Sequence, residues 1–282
     1  MKIMYKNSLG SEVSFTGEDS FLRLENIKGL SPKANIEIAP FYDSDGGTVV
    51  SMRMDSRNIL LSAVFNGKSS LCRKLLNDVF TPKVSGTLFI ENDLGDSYKM
   101  ECIAEGTDYT FAENDITAII SLVCPDPYFA GATEQKITTL HSDGQWTFPF
   151  EIPQSGFTFG EIGGDRIARV TNSGAVKSGG IFEILARANV YKPKLQNINT
   201  YEWFELDMNL LAHDRVVIDT NKGRKSVKLV RGGVETNIIN HMVWGSTFLQ
   251  LEPGVNEIVC QAGTGIKSLS VTIRFSERYG GV

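Results

Sequence analysis

Apolar and polar residues alternate with a period of two over most of the chain, the spacing of half-buried strands. Tyr98, Met100, Cys102 and Ala104 alternate with Lys99, Glu101 and Ile103, which predicts one inward row and one mostly outward row. Leu269, Val271, Ile273 and Phe275 do the same against Ser270, Thr272 and Arg274. Asn58–Phe65 and Thr87–Glu91 are further predicted strands. Asp45-Gly46-Gly47 marks a turn between a strand near Ile36–Pro40 and another near Thr48–Met54. Asn221-Lys222-Gly223-Arg224 separates RVVIDT from SVKLV as a hairpin turn. Around Pro253-Gly254, Phe248, Leu249 and Leu251 lead in, and Ile258 and Val259 lead out.

One segment departs from that period. Leu71, Leu75, Leu76, Val79 and Phe80 fall on one face of a 3.6-residue repeat, with Arg73, Lys74, Asn77 and Asp78 opposite. Ser69 or Ser70 serves as the N-cap and Pro82 as the stop, so a helix is expected near 70–81. A helix of about three turns is marginal alone and must dock on neighbouring strands.

The stretch TAIISLVCPDPYF, Thr117–Phe129, has the pattern of a domain end. Ala118–Cys124 is an apolar run of strand length, predicted to be buried. Pro125 and Pro127 remove two backbone donors. Tyr128 and Phe129 anchor the exit in a core, and AGATEQ follows with little to pack. These features divide the chain into a β domain with one helix, residues 1–130, and an all-β sandwich, residues 131–282. The expected fold class is mainly β, with a barrel-like first domain.

At 282 residues, two domains are comfortable, and 41% hydrophobic with 22% charged residues fits a folded chain. Residues 1–130 carry 12 Lys and Arg against 18 Asp and Glu, while the rest carries 16 against 15. An acidic first half argues against a general nucleic-acid surface. Cys72, Cys102, Cys124 and Cys260 contain no CxxC spacing, which points away from zinc or redox motifs and toward buried reduced thiols. The N-terminus lacks an apolar signal core, and no run approaches a membrane span, so synthesis in the cytoplasm without membrane insertion is expected.

No catalytic motif emerges. His141, His213 and His241 form no HExxH, no GxSxG elbow is present, and no glycine loop of phosphate-binding type occurs. Gly160–Gly164 and Gly263-Thr264-Gly265 are expected to be turns. No cofactor and no metal site is expected. Paired carboxylates that meet only in the fold leave a glycan hydrolase as a third possibility. Tyr201 and Trp203, two apart in TYEWFEL, share a face if extended, with Phe204 and Leu206 opposite. Such a row stacks on sugar or meets a protein partner; Trp146 and Trp244 carry the same ambiguity.

The ordered set of motifs resembles the distal tail proteins of long-tailed bacteriophages. Arg57–Leu61 resembles the strand before that family's helix, and Arg73–Leu76 with Phe80-Thr81-Pro82 resembles the helix and its stop. Gly86-Thr87-Leu88, Cys124–Phe129, Leu249–Ile258 and Tyr279–Val282 resemble later segments in order. The resemblance implies a non-enzymatic virion protein at the tail tip, made in the bacterial host. It implies a hexameric ring of N-terminal domains between the tail tube protein and a tail-associated tip protein. Galectin-like C-terminal sandwiches would project outward and can hold a receptor-binding protein. Genomic DNA would pass through the channel without specific binding, and no membrane is involved. A ring also needs its strand edges covered. The hairpin Ile36–Met54 is therefore expected to reach a neighbouring subunit, with Tyr42, Asp43, Asp45, Val49 and Val50 as contacts; an ordinary surface hairpin is the alternative. A carbohydrate-binding accessory module using Tyr201 and Trp203 is the alternative function.

Overall fold

The computed structural model describes residues 1–15, 22–65, 69–111, 116–138 and 167–282, apart from the side chains of Ser69, Cys72 and Phe111. Trp146, His141 and Gly160–Gly164 lie outside the described residues. The chain forms two compact units, residues 1–133 with 278–282, and residues 134–277.

The first unit begins with β1 (Lys2–Asn7), β2 (Glu12–Ser14) and β3 (Leu22–Lys28). The hairpin β4 (Ala34–Pro40) and β5 (Gly47–Met54) follows, then β6 (Arg57–Phe65) and α1 (Ser69–Val79). The unit continues with β7 (Ser85–Glu91), β8 (Ser97–Phe111), β9 (Ile116–Cys124) and β10 (Phe129–Gly131). Its main sheet runs β2-β1-β7-β8-β9-β6-β3, every pair antiparallel. At fifteen residues, β8 outlasts its neighbours. Its first half pairs with β7 and β10, and its second half with β9. The Leu24 N–H donates to the Phe15 carbonyl, which draws the two ends of the path together and curls the sheet.

The helix docks by its last turns. Leu76, Val79 and Phe80 are buried, and the Phe80 ring stacks on Tyr5 at 4.6 Å. Leu71, expected on the same face, is 61% exposed because the first turn lies outside this contact. The amide of Asn7, itself buried, donates to the Asp78 and Val79 carbonyls at 3.1 and 3.0 Å and satisfies the helix C-terminus.

The apolar run Ala118–Cys124 is a one-sided strand, contrary to the expectation of full burial. Ala118, Ile120, Leu122 and Cys124 are buried, whereas Ile119 is 40% exposed, because one face of this sheet stays open. Phe129 fills the core, and Tyr128 stays at its edge with the Arg278 guanidinium 5.5 Å from its ring centroid. The stretch after Phe129 is not loose. Ala130 and Gly131 pair with β8, and Phe129 and Ala130 pair with the strand Arg278–Tyr279.

The second unit comprises β11 (Gln135–Thr138), β12 (Ile167–Asn172), β13 (Gly180–Ala186), β14 (Val190–Tyr191), β15 (Lys194–Asn197) and β16 (Trp203–Glu205). It continues with β17 (Asn209–Leu210), β18 (Arg215–Asp219), β19 (Ser226–Arg231), β20 (Val234–Asn237), β21 (Gly254–Gln261) and β22 (Leu269–Phe275). One sheet runs β11-β22-β13-β18-β19-β20 and a second β12-β21-β15-β16. Phe182, Ile184, Val271 and Ile273 from the first sheet share one buried cluster with Val170, Leu195, Phe204 and Ile258 from the second. That is a β-sandwich core. Buried Asn256 accepts from the Glu252 N–H at 2.9 Å and donates to its carbonyl at 2.7 Å, closing the Pro253-Gly254 turn. No helix among the described residues is long and apolar enough to cross a membrane.

Candidate assembly interface

The hairpin β4–β5 forms a two-stranded sheet of its own. From Ser31 to Arg53 every residue except Gly47 is exposed. The register sorts its side chains by face. Ile36 opposes Met52 and Ile38 opposes Val49, with a bulge after Glu37 that sets Val50 beside them. On the other face Asn35 opposes Arg53 and Glu37 opposes Ser51, whose hydroxyl donates to the Glu37 carboxylate at 3.1 Å. One face of the ribbon is therefore apolar and the other polar. Ile36, Ile38, Val50 and Met52 are 52%, 58%, 62% and 72% exposed. An isolated two-stranded ribbon is marginal in water, and a contiguous exposed apolar patch marks an interaction surface.

The tip is closed by a bond from the Phe41 N–H to the Gly46 carbonyl, at 3.1 Å. Gly46 has φ of +96°, and a Cβ on Gly47 would stand 2.4 Å from the Ala39 carbonyl oxygen. Both positions therefore require glycine. Phe41 is half exposed, and Tyr42 is fully exposed beside Asp43 and Asp45. The structure thus places Tyr42, Asp43, Asp45, Val49 and Val50 together on one projecting arm.

The root of the arm is tied to the first unit by Arg57. Arg57 opens β6 in register with Ile59, Leu61 and Ala63 on the core face. Its guanidinium donates to the carbonyls of Gly29 and Leu30 at 3.2 and 2.8 Å, and to that of Gly280. The Phe129 ring lies under it, 5.0 Å to the centroid. Burial lowers the Arg57 pKa. A cavity of about 760 Å³ opens beside this root, between Lys33–Ile36, Met54–Asn58 and Pro127. The sequence pattern contained a signal for Arg57: an arginine standing in the inward row of an apolar strand.

In the second unit the geometry of the aromatic pair differs from expectation. Tyr201 precedes β16 with φ of +61° and is 78% exposed, so it does not share a strand face with Trp203. Trp203 is half-buried, with the Lys194 ammonium 4.9 Å from its ring centroid. Phe204 and Leu206 fill the core. Trp244, next to Gly245, is 97% exposed, and a Cβ on Gly245 would contact the Trp203 ring.

No group of His, Cys, Asp and Glu suited to a metal occurs among the described residues. His213 lies before β18 with φ of +71°, and His241 sits in a short 3-10 turn. Gly263 and Gly265 lie in a turn against Tyr191 and Asn189. Cys102, Cys124 and Cys260 are buried and unbridged.

Residues 173–279 match the family described as siphovirus-type tail component, C-terminal domain. That match falls almost wholly within the second unit, from the end of β12 to its last residue. The fold of the whole chain agrees. It superposes on the Dit protein of phage SPP1, described as a paradigm of the hub adsorption apparatus in phages infecting Gram-positive hosts. That match has a TM-score of 0.70 at 12% identity and covers 98% of each chain. Chains of the phage P2 baseplate, in its activated conformation with Ca and with Sr, match with TM-scores of 0.56 and 0.55. Their identities are 13% and 15%, over all of this chain and 99% of theirs. No curated protein matches in sequence. The chain therefore has the distal tail protein fold throughout, at sequence identities where only architecture persists.

Proposed function

We propose that this protein is the structural hub of a long-tailed phage or prophage tail tip, acting by assembly without catalysis. The amphipathic arm carries this reading. A two-stranded ribbon whose apolar face is left about half or more exposed by the described residues needs a neighbour, and a heterologous contact repeated around an axis closes into a ring. The apolar face Ile36–Ile38–Val49–Val50–Met52 lies on the next protomer, and Tyr42, Asp43 and Asp45 meet it at the tip. Six first units form the ring, one face toward the tail tube protein and the other toward a tail-associated tip protein. The net charge of −6 over residues 1–130 suits a channel through which genomic DNA slides without adhering. The chain is made in the bacterial host and resides at the virion tail tip.

The second unit is the peripheral domain. Its exposed Tyr201 and Trp244, with half-buried Trp203, offer aromatic surface to a receptor-binding protein or to a sugar. Glycan-array binding lost in both Tyr201→Ala and Trp203→Ala would identify the sugar.

Negative-stain microscopy and mass photometry of the purified chain test the hub. A six-fold ring is expected, together with its loss on deleting residues 43–47. A monomer at every concentration, or the same oligomer after the deletion, overturns the ring and the arm respectively.

A further inference from the structure

A row of reactive groups crosses the core face of the first sheet. The β8–β9 register sets Ile103 opposite Val123, so Cys102 and Cys124 are the next pair along. Neighbouring strands hold opposed Cα atoms about 4.5–5.5 Å apart, inside the range a disulfide spans. Both side chains point into the same core, 1% and 0% exposed, and each thiol donates to a carbonyl of its own strand, Cys102 to Met100 and Cys124 to Leu122, both at 3.8 Å. On the third strand Arg57 stands opposite Cys124. The neighbouring Cys102 thiol and the charge of Arg57, one strand away, both favour a thiolate on Cys124 against the cost of burial. The same contact and burial raise the pKa of Cys102, which keeps its proton.

We propose that Cys102 and Cys124 are a latent cross-strand disulfide, with Cys124 the attacking and Cys102 the resolving thiol. The oxidant is a small peroxide, able to enter through local opening where larger disulfides cannot. The Cys124 thiolate attacks one peroxide oxygen and breaks the O–O bond, giving a sulfenic acid and hydroxide. The Cys102 sulfur then attacks the Cys124 sulfur. The new S–S bond forms, the S–O bond breaks, and water leaves with the Cys102 proton. Two thiols and one hydrogen peroxide thus become one disulfide and two waters. The reducing cytoplasm keeps the pair open while the chain folds, and an oxidising exterior closes it. The bond ties β8 to β9 one residue before Pro125, where the chain leaves the sheet. This inference does not depend on ring assembly.

The test treats the folded full-length chain with hydrogen peroxide, alkylates under denaturing conditions, and maps peptides by mass spectrometry. The expected product is a linked Cys102–Cys124 peptide, 2 Da lighter than its reduced parts, reversed by dithiothreitol and accompanied by a raised melting temperature. In Cys102→Ser, a dimedone adduct is expected on Cys124. Full alkylation of both cysteines after peroxide, or linkage to Cys72 or Cys260 instead, overturns the proposal, as does a dimedone adduct confined to other residues.

Discussion

The guanidinium of Arg57 donates to the carbonyl of Gly280, joining the start of β6 to a segment more than two hundred residues later. The same side chain fixes Gly29 and Leu30, so one residue secures both the arm root and the returning strand Arg278–Tyr279. Arg278 adds an ion pair with Asp126. Replacing Arg57 by Met keeps the stem over Phe129 and removes the donors. Three carbonyls then lose their partner, and stability falls by about 2–3 kcal/mol by urea unfolding. Truncation after Glu277 removes the returning strand while leaving the bonds to Gly29 and Leu30, and is expected to cost less than Arg57→Met.

The hydroxyl of Tyr5 is buried without a hydrogen-bond partner among the described residues. Burial first, and the nearby Cys102 and Cys124 second, push its pKa up to about 12, so it stays protonated at neutral pH. A polar group desolvated without compensation costs free energy, while the ring itself is held by Phe80. Tyr5→Phe is expected to raise stability by about 1 kcal/mol. The same variant relieves Gly86, where a Cβ would now stand 2.4 Å from that hydroxyl. Gly86→Ala is therefore expected to be less damaging in the Tyr5→Phe background, as a double-mutant cycle of thermal midpoints would show.

Val50→Glu with Met52→Glu places two charges on the apolar face of the arm. Both residues are exposed in the protomer, so its unfolding free energy is expected to change by no more than about 0.5 kcal/mol. Assembly, read by mass photometry, is expected to fail. Ser51→Lys, which sets a cation opposite Glu37 on the polar face, is the control that leaves assembly intact.

The sequence legibility of this fold follows the hydrophobic period. Strands such as Arg57–Phe65 and Leu269–Phe275 alternate cleanly because one face packs while the other meets water. The helix stop at Pro82 and the Asp45-Gly46-Gly47 turn were legible because proline and glycine restrict the backbone locally. What periodicity could not convey is long-range pairing. Asn7 satisfying the carbonyls of Asp78 and Val79, and the return of Arg278–Tyr279 to β10, are contacts between segments far apart in sequence. Leu71 fits the helical stripe, yet only the partner surface of Tyr5 and Phe15 decides which turns are buried. Tyr201 reads as a strand residue, and only its left-handed backbone removes it from the row with Trp203. The arm was visible as a hairpin with a polar glycine tip; its split into apolar and polar faces rests on the bulge after Glu37, which composition does not encode.

Asp214 makes the second unit sensitive to acid. Its buried carboxylate accepts from Arg231 Nε at 2.8 Å and from Nη2, and from the Leu211 N–H at 2.7 Å. The Arg231 hydrogen bond outweighs burial and holds the Asp214 pKa below its ordinary value. A carboxylate with a lowered folded-state pKa contributes stability above its unfolded value, about 3.9. That contribution is lost as pH falls below about 4 and through the folded value. Asp214→Asn keeps the shape, removes the titration, and loses the charge-assisted bonds. The variant is expected to be less stable than the parent at pH 7, and the gap in urea midpoints is expected to narrow steadily from pH 5 to pH 3. A gap that is constant over this range would mean that Asp214 does not titrate with unfolding.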